Sequence, residues 1–166
     1  MARKTATRLF LALVMLALAA GPVAAAGDQR NFVAPLQGDN EVPAVDTNTV
    51  GVATFRLSAD ETVLSYKLIV ANGVAVTQAH IHCGVPGVNG PVVVFLYGFG
   101  PTVDVSGLLA QGDITNANVI PRTELQGCPG GVTNLADVVA LMRSGGAYTN
   151  VHTVANPGGE TRGPIQ

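Results

Sequence analysis

Three histidines and one carboxylate occupy positions from which they could bind a transition metal. His80 and His82 are separated by one residue in "AHIHC", and His152 lies near the C-terminal end in "YTNVHT". In a β-strand, residues i and i+2 project from one face about 6.6–6.8 Å apart, so the first two imidazoles can close on one cation. Imidazole nitrogen is a ligand of both copper and zinc. If the two histidine strands are neighbours, we expect a mononuclear Cu or Zn site, with Glu160 as a fourth ligand or as a hydrogen-bond partner of a ligand.

The same histidines have a simpler structural interpretation. A pair spaced H-x-H is a weak motif by itself, and partly buried histidines often only form hydrogen bonds to a carbonyl or carboxylate group. Under this alternative, His152, Glu160 and Arg162 form a small polar network, and the histidines orient the turns around them. The spacing alone leaves both interpretations open.

Other kinds of catalytic site find no support in the sequence. No serine lies in a G-x-S-x-G setting, and no glycine-rich phosphate-binding pattern opens a helix. Asp60 and Glu61 are adjacent acids in a predicted turn, whereas a glycosidase needs two carboxylates that face each other. We therefore expect a protein without catalytic residues that is not an enzyme.

The first 26 residues have the pattern of a signal peptide. A basic start that ends at Arg8 precedes the apolar segment 9–20, and small residues at 24–26 offer a cleavage site. The apolar segment is short for a membrane-spanning helix, which needs about 20 residues. We expect residues 1–26 to be removed, which leaves residues 27–166 as one domain without a membrane span, either secreted or held in the periplasm or cell envelope. A retained N-terminal anchor is the alternative.

Removal of this leader leaves an acidic and sparsely charged chain. The leader contains three of the nine basic residues and none of the eleven acidic ones, so residues 27–166 carry a net charge of −5. The remaining basic residues are scattered singly and form no stripe for phosphate contacts, so we expect no nucleic-acid partner. Val, Ala, Gly and Thr are abundant in this part of the chain, a composition typical of β-structure.

The two cysteines of the chain are Cys83 and Cys128. An even number in an exported chain favours a disulfide bond, and two buried free thiols are the alternative. The C-x-x-C spacing typical of zinc ribbons and of thioredoxins is absent from the sequence.

Short apolar runs separated by turn residues predict an antiparallel β-sandwich or barrel. Segments 50–58 and 63–72 alternate apolar and polar residues, and the four-residue turn between them indicates a β-hairpin. In the next run, Ala79 and Ile81 are expected to point into the core, opposite to the histidines. Further strands are predicted at residues 31–36, 74–83, 91–99, 103–114 and 147–154, with "ETRGPI" closing the chain.

One short helix is predicted near residues 134–144. Asn134 can cap its first turn, and Asp137 three residues later suits the positive end of the helix dipole. Two glycines at 145 and 146 end it. Its apolar stripe is formed by Leu135, Val138, Val139 and Met142.

Three stretches of the chain resemble the CHRD domain, a family named after chordin and also found in exported bacterial proteins. They are "FVAPLQGDNEVPAV", "AHIHCGVPGVNGPVVVFL" and "YTNVHTVANPGGETRGPI", and in this order they span about residues 31–165. The resemblance implies an extracellular β-sandwich module, immunoglobulin-like or superoxide-dismutase-like in fold. It implies no reaction, and the antagonism of bone morphogenetic proteins by chordin does not carry over to a single-domain chain. The residues of the motif that we assign a structural role are Asn89, Gly90, Pro91, Asn156, Pro157, Gly158, Gly159 and Arg162.

A second and narrower resemblance is to copper-zinc superoxide dismutase, another β-sandwich with an H-x-H pair on one strand. It covers only His80, His82 and His152, and nothing in the chain matches the bridging histidine or the long zinc loop of that enzyme. Three histidines cannot supply a two-metal site, so dismutase chemistry is not expected.

Two functions follow from these patterns. The first is a non-enzymatic binding module, outside the cell or in its envelope, whose partner is an unidentified protein or cell-surface component. The second is a mononuclear copper or zinc protein that uses His80, His82 and His152. From the sequence alone we favour the first, because the case for a metal depends on spacing alone.

Overall fold

The computed structural model describes residues 29–166, and the predicted leader at 1–26 lies outside the described residues. The described chain is mainly β-structure with one α-helix, as predicted. Its elements are β1 (Asn31–Leu36), β2 (Val50–Leu57), β3 (Leu64–Cys83), β4 (Val92–Tyr97), β5 (Val103–Ile114), α1 (Leu135–Arg143), β6 (Ala147–Thr153) and β7 (Thr161–Pro164). Short 3-10 turns occur at Gly38–Asn40, Asn116–Asn118 and Glu124–Gln126.

The strands form two antiparallel layers that share β3. The first half of β3 pairs with β2 on one side and with β5 on the other. Its second half pairs with β6 on one side and with β4 on the other. The layers are therefore β1-β2-β3-β5 and β7-β6-β3-β4, which is the sandwich that the strand pattern predicted.

The two layers also meet at their other edge, which nearly closes the sheet into a barrel. Val33 and Gln166 exchange a pair of backbone hydrogen bonds of 2.8 and 3.0 Å, and Gln37 and Arg162 exchange a second pair of 2.9 and 3.1 Å. These bonds join β1 to β7 and satisfy backbone groups that an open sheet edge would leave exposed.

Alternation along the strands places the core between the layers. In β2, Ala53, Phe55 and Leu57 point inward and are buried, while the residues between them face outward. In β3, Ala79 and Ile81 are fully buried, as predicted. The largest fully buried side chains include Phe32, Leu36, Leu64, Leu68, Ile81 and Ile114.

β3 differs from the prediction, which divided it into two strands at Asn72 and Gly73. The structure has one strand of 20 residues. Its ladder with β5 shifts register on both sides of Gly73, and Asn72 and Ala75 have positive φ angles of 58° and 48°. The polar and glycine residues therefore mark a bend within the strand, where the chain passes from one layer to the other, and not its end.

The helix confirms its prediction closely. Asn134 accepts a hydrogen bond from the backbone N–H of Asp137 at 3.1 Å, and the helix ends at Arg143 before Gly145, whose φ is 71°. Its apolar stripe is buried. Within residues 29–166, no helix has the length and hydrophobicity to cross a membrane.

Cys83 and Cys128 form the predicted disulfide bond. Their Cα atoms are 5.4 Å apart and the bond spans 45 residues. It joins the end of β3 to the segment that leads toward α1, so both thiols are oxidised and neither is a metal ligand.

Candidate metal centre

His80, His82 and His152 lie together on the outward face of the β7-β6-β3-β4 layer. His80 is opposite Asn150 in the ladder and His82 is opposite Tyr148, while His152 on β6 pairs with Gln78. One nitrogen from each imidazole lies within 4.8 Å of the other two. The strand spacing and the neighbourhood of β3 and β6 are therefore sufficient to assemble the three rings that the sequence singled out.

Two of these rings are fixed by backbone carbonyl groups. His82 Nδ1 lies 2.8 Å from the carbonyl oxygen of Gly90, and His152 Nδ1 lies 3.0 Å from that of Pro157. A carbonyl oxygen only accepts hydrogen bonds, so Nδ1 carries the proton in both rings and Nε2 presents a lone pair. Metal-binding histidines in proteins are commonly oriented by a hydrogen bond of this kind.

The Nε2 atoms of His80 and His82 are buried, and the amide of Asn150 lies close to both rings. His80 Nδ1 lies 3.1 Å from His152 Nε2, and since the latter is deprotonated, His80 donates and keeps its own lone pair on Nε2. Within residues 29–166, His80 Nε2 and His82 Nε2 are buried and have no hydrogen-bond partner. Four other buried side-chain atoms of the described chain also have no partner, among them Glu41 Oε1 and Arg162 Nε. The two nitrogens differ from those atoms because both present a lone pair in the same cluster.

Burial keeps all three imidazoles neutral. Desolvation, reinforced by the neighbouring histidines, lowers the pKa of His80 to about 3. Desolvation also lowers the pKa of His82 to about 4, although the Gly90 carbonyl opposes it. The pKa of His152 is lowered mainly by burial as well. Neutral imidazole is the form that binds a metal ion, so these rings need to lose no proton at neutral pH.

Aromatic rings cover the cluster on two sides. The ring of Tyr148 stacks on His82 at a centroid distance of 4.7 Å and an interplanar angle of 8°. Phe95 meets His80 edge-on at 4.5 Å. The guanidinium carbon of Arg162 lies 4.1 Å from the centroid of Tyr148, which is therefore placed between His82 and a cation.

Arg162 also holds two loops over this face of the sheet. It forms a buried ion pair of 2.9 Å with Glu41 and donates to Asn89 Oδ1 at 2.5 Å. Asn89 in turn donates from Nδ2 to the carbonyl oxygen of Val42 at 2.8 Å. Burial raises the pKa of Glu41, and Arg162 works against that shift. Glu41 was not predicted as a site residue, because it lies in a polar turn far along the chain from the histidines.

Glu160 does not lie in the histidine cluster. Its carboxylate accepts hydrogen bonds from Thr153 Oγ1 at 2.8 Å, from Asn156 Nδ2 at 2.5 Å and from the hydroxyl group of Thr47. Burial would raise the pKa of Glu160, but these hydrogen bonds outweigh it and lower the pKa. The ladder between β6 and β7 ends at the pair Val151–Thr161, before Glu160, and the carboxylate that we expected near His152 contacts Thr153 instead.

The remaining motif residues form the turns that carry the two carbonyl anchors. Gly90 and Pro91 end the loop after β3, where Pro91 accepts a backbone hydrogen bond from Cys83 at 3.1 Å. Asn156, Pro157, Gly158 and Gly159 make the tight turn before β7, closed by a bond of 3.1 Å from Gly159 N–H to the carbonyl oxygen of Asn156. Any side chain at Gly159 would overlap the carboxylate of Glu41.

Three neutral imidazoles on rigid strands constitute a donor set for copper or zinc. Ligand nitrogens at 2.0–2.1 Å from one ion lie about 3.3–3.6 Å from one another, so nitrogens 4.8 Å apart would have to approach by about 1.2–1.5 Å. Asn150 adds a neutral amide 3.1 Å from His152 Nε2, and since this nitrogen carries no proton, the amide faces it with an N–H group.

Comparison with known proteins adds one finding. A family model described as the CHRD domain matches residues 32–165, which is nearly the whole described chain. No curated protein and no solved structure matches it.

Proposed function

This chain belongs to the CHRD domain family, and from that premise we propose that it is an exported, non-enzymatic binding module whose ligand is a single transition metal ion. The ion is copper or zinc, and the ligands are His80, His82 and His152. The signal-peptide pattern at residues 1–26 and the disulfide bond support a location outside the cytoplasm, in the periplasm, in the cell envelope or in the medium.

One observation carries the proposal. The Nε2 atoms of His80 and His82 are buried without a hydrogen-bond partner, and the Nδ1 groups of His82 and His152 are held by backbone carbonyls. Buried polar atoms are rarely left unpaired, and one bound cation would satisfy both nitrogens at once.

The experiment is elemental analysis of the mature protein, purified without a His tag and loaded with copper or zinc. About one ion per chain is expected for the wild type, and much less for His82→Gln and for His152→Gln. Glu160→Gln serves as the control, because Glu160 lies outside the cluster and its replacement should leave the metal content unchanged. Circular dichroism verifies that each variant is folded. A wild-type protein that retains neither metal after loading would refute the proposal.

A second candidate function is the binding of an unidentified protein or cell-surface component, and an apolar row on the other layer favours it. Pro35, Val52, Ile69 and Leu108 are paired in register across β1, β2, β3 and β5, and they face outward. Ile69 is 37% exposed and Leu108 is 49% exposed. Such rows are more common at contact surfaces than on free ones.

Labelled protein applied to whole cells tests this second function. Ile69→Lys together with Leu108→Lys should abolish binding to the cells while leaving the metal content unchanged. Equal binding of the wild type and this variant would rule out a partner on this face.

A further inference from the structure

The composition of the histidine cluster also indicates which ion it takes, an inference that rests on the proposed function. The donors are three neutral imidazoles, and within residues 29–166 no carboxylate belongs to the cluster. The sulfur atoms of Cys83 and Cys128 are tied in the disulfide bond. An ion bound here would therefore keep its full charge, since no anionic ligand reduces it.

The surroundings make that charge costly. His80 is 3% exposed and His82 is 8% exposed, while His152 is half-buried, so the ion would have little contact with water on the side of β3. The solvation free energy lost on burial grows with the square of the charge, so a divalent ion loses about four times as much as a monovalent one. The nearest cation, Arg162, lies behind the ring of Tyr148, and the carboxylate of Glu41 is already paired with it.

The number of available ligands also disfavours a divalent ion. Zinc held by three histidines takes a water molecule as its fourth ligand, and copper(II) prefers four ligands in a plane. Here the rings of Phe95 and Tyr148 cover His80 and His82, which leaves the amide of Asn150 as the nearest further donor. Copper(I) is stable with two or three nitrogen ligands and demands no fourth.

We propose that the resident ion is copper(I), held by His80, His82 and His152 in a three-coordinate site, and that divalent ions bind it more weakly. The module would then carry or buffer reduced copper outside the cytoplasm. The preference follows from the neutral ligand set, the burial of the rings and the absence of an anionic fourth donor in the cluster within the described residues.

Competition titrations test the preference directly. Copper(I) is titrated against bicinchoninate under argon, and zinc(II) against a chromogenic zinc chelator. We expect one copper(I) per chain, bound at least about 100-fold more tightly than zinc(II). When copper(II) is added instead, we expect an electron paramagnetic resonance signal that ascorbate removes. Zinc bound as tightly as copper(I), or a copper(II) signal that survives ascorbate, would overturn the inference while leaving a metal-binding function intact. A protein that binds none of these ions would refute the proposed function as well.

A substitution beside the cluster provides a second test. Asn150→Asp adds a carboxylate next to His152 with little change in volume, which should raise the affinity for zinc(II) relative to copper(I) by about 10-fold or more. Asn48→Asp makes the same change of charge at an exposed position and should leave the ratio unchanged. An identical ratio in both variants, with both folded, would show that ligand charge does not set the preference.

Discussion

At the scale of single residues, two turns of the backbone determine the chemistry of the histidines. The carbonyl groups of Gly90 and Pro157 fix the protons of His82 and His152 on Nδ1, and both belong to the stretches by which the chain resembles its family. Glycine and proline in these loops thus do more than turn the chain. Their carbonyl groups leave Nε2 of His82 and of His152 without a proton.

The burial of the histidines predicts a loss of stability in mild acid. The folded-state pKa values of about 3 for His80 and about 4 for His82 lie below the ordinary value of 6.5, so the unfolded chain binds protons first. The free energy of unfolding of the metal-free protein should therefore fall as the pH drops from 6.5 toward 4, by about 1.4 kcal/mol per pH unit for each histidine. Glu41 opposes this trend, because its raised pKa favours the folded state in acid.

Urea unfolding between pH 7 and pH 5 measures this slope, in a range where ordinary carboxyl groups remain ionised. His80→Gln with His82→Gln should show a shallower slope than the wild type. Equal slopes in the two proteins would mean that neither histidine is buried in its neutral form.

The sequence predicted the histidines of the site but not the positions of its two buried carboxylates. The H-x-H spacing and His152 were sufficient to predict the cluster, because strand periodicity places i and i+2 on one face. The position of Glu160 could not be predicted, because it depends on where the pairing of β6 with β7 ends. Glu41 was missed because its pairing with Arg162 joins distant parts of the chain, and no local pattern encodes such a contact.

At the scale of secondary structure, the closure between β1 and β7 depends on one glycine. A Cβ atom at Gly163 would overlap the carbonyl oxygen of Pro35 on β1. Gly163 pairs with Thr149 on β6, so the strand is held closely on both sides.

Gly163→Ala should therefore destabilise the fold by about 1–3 kcal/mol, because β1 and β7 would have to separate. Gly158→Ala in the same hairpin is the matched control, since a Cβ there has no heavy atom within 4 Å, and its effect should stay within about 0.5 kcal/mol. Both values come from denaturant unfolding. A Gly163 variant as stable as the control would show that β1 and β7 are not tightly joined.

The strand boundaries show where local sequence signals are insufficient. Hairpin β2–β3 and helix α1 were predicted nearly to the residue, because both have complete local signals. β3 was divided at Asn72-Gly73, which usually marks a turn. Among the described strands, only β5 pairs with β3 across the bend, from Leu64 to Val76, and this pairing keeps these residues in one strand.

At the scale of the whole molecule, the disulfide bond restricts the unfolded chain more than it shapes the folded one. It closes a loop with a sequence separation of 45 between Cys83 and Cys128. On the chain-entropy estimate, such a cross-link stabilises the folded state by about 4 kcal/mol.

Cys83→Ala with Cys128→Ala should lower the urea midpoint by a corresponding amount, with little change in the far-ultraviolet circular dichroism of the folded protein. Wild-type protein treated with a reductant should match the variant, which separates the effect of the bond from that of the lost sulfur atoms. A midpoint unchanged by both treatments would contradict this account.

The bent strand β3 also affects the resistance of the protein to proteases. Since the layers share β3 and meet again between β1 and β7, β1 and β2 cannot leave their layer without breaking the hydrogen bonds to the other one. Partial opening, the usual route by which a protease gains access to a folded chain, is then nearly as costly as global unfolding. Survival of the domain among hydrolytic enzymes should accordingly follow its total free energy of unfolding, and the backbone amides at the centre of β3 should be the last to exchange with deuterium.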